Sequence, residues 1–189
     1  MRRTALIVPL VILFAASCSD SETASSTTRA TSSTTTTAAS TTQGGVMELT
    51  SPDFPSEGPI PARFACDGVD ESPGLNLTGI PDGTVSLALV MDDPDASVGT
   101  FDHWVAFNIG PTEEIPANVG ALGTGGVNSW NRLGYGGPCP PSGTHRYFFR
   151  ILALDTELDL EEGATKDDVL EAASGHVIGD ATLMGTYAR

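Results

Sequence analysis

Three segments of the chain carry the apolar patterning of strands. From Val85 to Asp92, Val85, Leu87, Leu89 and Met91 alternate with Ser86, Ala88, Val90 and Asp92. From His103 to Ile109, His103, Val105, Phe107 and Ile109 share one side, and Trp104, Ala106 and Asn108 the other. Tyr147 to Leu154 is aromatic and aliphatic apart from Arg150, as expected of a strand central in a sheet. Met47–Leu49, Ala62–Ala65 and Thr182–Tyr187 are shorter strand candidates, separated by turn clusters such as Pro81-Asp82-Gly83. One helix is clear: Thr165-Lys166-Asp167-Asp168 reads as a capping box, Val169, Leu170 and Ala173 make a helical stripe, and Gly175 closes it. Many strands, many Gly/Pro turns and one or two short peripheral helices predict a mainly β fold, an antiparallel β-sandwich.

The first 45 residues do not share this patterning. Arg2 and Arg3 precede an apolar run from Ala5 to Ala16, followed by small residues and Cys18. The run is too short to cross a bilayer, which takes about 20 residues. It reads as a signal peptide over residues 1–17. A cysteine directly after the small residues points to a lipoprotein, with the lipid on Cys18 and the protein anchored to the outer face of the cell membrane. Plain secretion is the alternative. Residues 18–45 are rich in Thr, Ser and Ala and nearly devoid of large apolar side chains, the composition of a disordered tether. Residues 46–189 are then the folded domain.

Charge narrows the functions open to that domain. The chain of 189 residues has a formal net charge of −15. The basic residues of the domain are Arg63, Arg132, Arg146, Arg150, Lys166 and Arg189, with no patch suited to nucleic acid or to anionic lipid surfaces. Membrane contact is therefore expected only through the lipid anchor. Two cysteines remain, Cys66 and Cys139. Export favours a disulfide between them, with two buried thiols or a Cys139 nucleophile as the alternatives.

Polar groups concentrate where the predicted strands end. Asp92-Asp93-Pro94-Asp95 follows the first strand, and Phe101-Asp102-His103-Trp104 opens the second. A glycine- and proline-dense loop, Asn131 to Thr144, leads into His145-Arg146-Tyr147. Singly, these residues could cap turns or satisfy a core. Three such segments together are the layout of a small binding pocket, with the stiff loop as one wall.

The segments DPDAS, DHWVAFNI and GYGGPCPPSGTHRY, in this order and spacing, resemble the phosphatidylethanolamine-binding protein (PEBP) family, in particular its bacterial Raf-kinase-inhibitor-like branch of the YbhB/YbcL type. Arg63 to Gly68, Ser72-Pro73, Gly175 to Gly179 and Gly185-Thr186-Tyr187 support the resemblance. It implies a β-sandwich whose ligand pocket falls on Asp93, Asp95, His103, Pro141, His145 and Tyr147, with no cofactor and no metal. The chain departs from the family at Ser97, where a proline is usual, and at Leu77, where an aromatic is common. No counterpart is found for the C-terminal helix and gating tyrosine of eukaryotic members, so Tyr187 is not given that role.

Loop N–H groups, imidazoles and a phenol suit a phosphate or carboxylate, while Asp93 and Asp95 suit an ammonium. The function expected is an extracytoplasmic binding module for phosphorylated or anionic ligands such as phosphoethanolamine head groups. Binding is expected to strengthen as pH falls through the ordinary histidine value of about 6.5. A secreted inhibitor of a protease or other enzyme, docking on an unidentified protein, is the alternative. An enzyme, either a metal hydrolase built on Asp93, Asp95, His103 and His145 or a Cys139/His145 thiol hydrolase, is the weakest of the three readings, for no spaced metal or nucleophile motif supports it.

Overall fold

The alternating segments pair into two antiparallel sheets. The computed structural model of the protein describes residues 46–189; the expected signal peptide, Cys18 and the tether lie outside the described residues. Strands β1 (Glu48–Thr50), β2 (Leu75–Thr78) and β5 (Glu114–Ile115) form a small sheet in the order β1-β2-β5. Strands β3 (Ser86–Asp93), β4 (Phe101–Ile109), β6 (Thr124–Gly125), β7 (Thr144–Leu154) and β8 (Val177–Ala188) form the larger one, in the order β6-β4-β3-β7-β8. β3 is the middle strand, and β7 is also interior, paired with β3 on one side and β8 on the other.

Both faces of the large sheet are covered around its middle, which explains the unbroken apolar runs Leu87–Met91 of β3 and Ile151–Leu154 of β7. Leu87, Leu89, Met91, Phe149 and Ile151 pack against Leu49, Leu75, Leu77 and Ile115 of the small sheet. On the other face Ala88, Val105, Phe107 and Leu154 pack against Leu158 and against Val169 and Ala173 of helix α1 (Lys166–Ala173). The helix starts on the expected capping box: Thr165 accepts from the Asp168 N–H, and the Asp168 side chain accepts from the Thr165 N–H. Lys166, at its first turn, is mostly buried and ion-pairs with Asp92 and Asp102. The helix is thereby fixed to the end of β3 and the start of β4.

Four expectations change. Ala62–Ala65 is not a strand: Ala62–Phe64 is a 3-10 turn with Phe64 N–H donating to the Pro61 carbonyl and Ala65 N–H to that of Ala62. Pro61 fixes the entry, and only Phe64 and Ala65 are buried while Ala62 and Arg63 are exposed, so the burial is not that of a strand. The candidate at Thr182 is the second half of a strand that starts at Val177. Val85 lies outside β3 and is 48% exposed. Finally, β4 does not alternate to its end. Asn108 takes a positive φ of 51°, and the register slips between Leu87/Ile109 and Leu89/Ala106. This bulge turns Ile109 to the side of Trp104 and Ala106. The Asn108 amide holds it by donating to the Leu158 carbonyl and accepting from the Leu158 N–H.

Candidate functional site

The register of the large sheet gathers the polar segments at one end. Asp93 at the end of β3 pairs with Phe101 at the start of β4, and Asp92 pairs with Phe148 near the start of β7. A cavity of about 250 Å³ opens there. Asp93, His103 and His145 supply its polar groups, Phe101, Trp130 and Pro141 its apolar walls, and Ala96 to Val98 its lip.

Asp93 organises the polar side and is only 3% exposed. Its Oδ1 accepts the Asp95 N–H at 2.8 Å, and its Oδ2 accepts His145 Nδ1 at 2.7 Å. His145 thus presents Nδ1–H to the carboxylate and keeps Nε2 for a ligand. His103 lies 2.7 Å through Nδ1 from the Gly136 carbonyl. A carbonyl only accepts, so Nδ1 carries the proton and Nε2 is left as an acceptor. Burial lowers the pKa of His103, against the opposing pull of the Gly136 carbonyl and of Asp93, so this imidazole stays neutral near pH 7.

Asp95 and Tyr147 do not line the cavity. The Asp95 carboxylate is gripped by the Arg146 side chain at 2.9 and 2.7 Å and by the Arg146 N–H at 3.0 Å. Hydrogen bonding to that guanidinium holds the Asp95 pKa at about 2 instead of 3.8. The lowered value sets the sign of the pH effect: any stabilisation from this pair is present above pH 3.8 and lost as pH falls through about 2. In Arg146→Ala the Asp95 pKa should rise from about 2 toward 3.8, stopping short of it because the backbone N–H of residue 146 still donates, which carbon NMR of the side chain would read; an unchanged midpoint would show another source of the shift. Tyr147 is fully buried and stands edge-on behind His103, ring centres 5.2 Å apart. Among the described residues its hydroxyl has no hydrogen-bond partner, and burial first, then the Asp93 charge, push its pKa up.

The glycine–proline loop is tied to the segment around Phe64 and Cys66. Tyr135 Oη donates to the Phe64 carbonyl, Gly137 N–H to Asp70, and Cys66 N–H to the Pro138 carbonyl. Gly137 packs so closely that a Cβ would sit 2.1 Å from the Phe64 carbonyl oxygen, so only glycine fits. Cys66 and Cys139 form the expected disulfide, which removes Cys139 from the role of a free nucleophile. Among the described residues no group of three His, Cys, Asp or Glu side chains is arranged to hold a metal.

Residues 50–188 match the family model for the phosphatidylethanolamine-binding protein. The chain belongs to the PEBP family. Similar PEBP-family relatives include a "UPF0098 protein" of Methanothermobacter thermautotrophicus, 53% identical over 150 residues that cover 76% of this chain and 99% of the relative. A second, from Aquifex aeolicus, is 42% identical and covers 77% of this chain and 91% of its own length. Among solved structures, a "PhosphatidylEthanolamine-Binding Protein (PEBP) Homolog" from Chlamydia trachomatis is similar with a TM-score of 0.74 at 41% identity, over 76% of this chain and 98% of that one. E. coli YbcL, described as "a new member of the mammalian PEBP family", follows with a TM-score of 0.71 at 26% identity, over 77% and 99%.

Within this PEBP-family domain the sequence did not mark Phe101 and Trp130 as cavity walls. The two rings meet edge to face, centres 4.7 Å apart, and Trp130 meets His103 at 4.9 Å. The available signal was the Asn-Ser-Trp-Asn turn: Asn128 Oδ1 accepts from the Trp130 and Arg132 N–H groups, and Asn131 takes a positive φ of 59°. A turn built around a tryptophan gives that ring a position beside the cavity instead of in the core.

Proposed function

We propose that this PEBP-family domain is an extracytoplasmic binding module for small phosphorylated or otherwise anionic ligands of the phosphoethanolamine head-group type, anchored to the outer face of the membrane by a lipid on Cys18. The observation that carries this reading is the Asp93–His145 pair beside neutral His103 in a cavity of about 250 Å³. A phosphate oxygen would accept from His145 Nε2–H, with Asp93 stabilising the imidazolium from the other side. His103 Nε2 would accept a hydrogen bond from a donor of the ligand, and the ring of Phe101 would receive an ammonium. The cavity volume suits a head group and not the remainder of a lipid.

Burial keeps His103 neutral, so His145, whose Nδ1 faces the Asp93 carboxylate, is the imidazole placed to meet a bound phosphate as a cation. Calorimetry with phosphoethanolamine should give several-fold tighter binding at about pH 5.5 than at about pH 7.5, on either side of the ordinary histidine value. The rise should vanish in His145→Gln, which separates the protein's titration from that of the phosphate. No binding, or the same pH response in both proteins, would sink the proposal. For the anchor, Cys18→Ser should move the protein from the membrane to the soluble fraction; retention on the membrane would refute lipid attachment there.

A further inference from the structure

The charges around the cavity leave one cation unmatched. Asp93 is held by His145 and Asp95 by Arg146. Away from the cavity, Arg63 pairs with Glu71, Lys166 with Asp92 and Asp102, and Arg189 with Asp67. Arg132 and Arg150 have no carboxylate partner among the described residues. Arg150 borders a separate depression together with Asp92. Arg132 belongs to the loop that carries Trp130 and is exposed, yet it is held in place. Its guanidinium carbon lies 5.0 Å over the indole of Trp130, the ring that lines the cavity. One of its terminal nitrogens would be 3.2 Å from a Cβ at residue 136, where Gly136 leaves room for it. Its N–H donates to Asn128, the residue that also fixes Trp130.

We propose that Arg132 is a specificity-determining residue of this pocket, favouring phosphomonoesters that carry a second anionic group over zwitterionic ones. The inference rests on the phosphate-binding reading above. In a chain of net charge −15 the overall field opposes any anion, so preference must come from a local fixed cation. His145 and Arg146 are already matched by carboxylates. Arg132 does not line the cavity but stacks on Trp130, which does, so a ligand group that emerges beside Trp130 would meet its charge, an effect that salt screens over about 8–10 Å. Stacking on Trp130 reduces the ordering a ligand would otherwise impose on a long side chain.

The test is calorimetry of the wild type, Arg132→Gln and Arg132→Lys near pH 7.5 with O-phosphoserine and phosphoethanolamine, which differ by one carboxylate. The wild type should prefer phosphoserine by about fivefold at low salt, the size of one screened charge contact. Arg132→Gln should lose the preference while keeping its affinity for phosphoethanolamine within about twofold, and Arg132→Lys should keep most of it. Raising the salt from about 50 to about 300 mM should shrink the wild-type preference. Equal preference in wild type and Arg132→Gln, or binding of both ligands by the wild type without preference, overturns this inference and leaves the phosphate pocket standing. Wild type that binds neither ligand overturns both.

Discussion

Replacing Cys66 and Cys139 together by serine should lower the unfolding free energy by about 4 kcal/mol, the loop-entropy value for a closed loop of this length. The bridge spans a sequence separation of 73 residues, so it restricts a large part of the unfolded chain. The native fold should survive, because three hydrogen bonds still tie the loop: Tyr135 to Phe64, Gly137 to Asp70 and Cys66 to Pro138. The loss should therefore show as a fall of roughly 10 °C in melting temperature with a cooperative transition retained. Wild type unfolded in excess dithiothreitol should match the double variant, since both lack the same constraint. A change below about 1 kcal/mol in both would show that the bridge contributes little beyond these three hydrogen bonds.

The strands that were legible are those whose burial repeats in the sequence. β3, β4 and β7 each carry enough apolar residues for their pattern to stand out, and α1 announces both ends through Thr165 and Gly175. β2, β5 and β6 have two to four residues, too few for a period, and exist because a neighbour pairs with them. The N-terminal half of β8 was hidden by Gly179 and Asp180; the glycine is there because a Cβ would lie 2.6 Å from Pro81. Ile109 was misplaced because a bulge at Asn108 leaves every residue type in its expected order while changing the face that the last one meets.

The candidate site divides in the same way. Asp93, His103 and His145 stand in segments that are conspicuous in the sequence, polar residues at the ends of apolar strands beside a stiff loop; as a ligand set they and Pro141 come from the family resemblance, and all four line the cavity. Asp95 joins them through the same resemblance, and in sequence nothing distinguishes it from Asp93. What separates the two carboxylates is Arg146, 51 residues away from Asp95 and adjacent only through the pairing of β3 with β7. Tyr147 was chosen through family resemblance, yet it reaches the cavity only by supporting His103. Trp130 and Phe101 escaped because an aromatic side chain in sequence looks the same whether it fills a core or walls a cavity.

Asp93 is the residue whose loss should cost the site most, and two substitutions separate its two roles. Asp93→Ala removes the acceptor of the Asp95 N–H and of His145 Nδ1–H. Leaving two donors unpaired in a partly buried place should destabilise the domain by about 3 kcal/mol and abolish phosphoethanolamine binding. Asp93→Asn keeps the volume and can still accept the Asp95 N–H. Its NH2, however, faces His145 Nδ1, so the histidine proton must move to Nε2 and no negative charge remains to stabilise an imidazolium. Asp93→Asn should therefore cost only about 1 kcal/mol in stability while weakening phosphoethanolamine binding at about pH 5.5 by tenfold or more. Nitrogen NMR of His145 should show the Nε2–H form in this variant and Nδ1–H in the wild type. If Asp93→Asn shifts the tautomer but binds as well as wild type at low pH, the carboxylate does not act by charging His145, and the histidine would have to serve as a neutral donor.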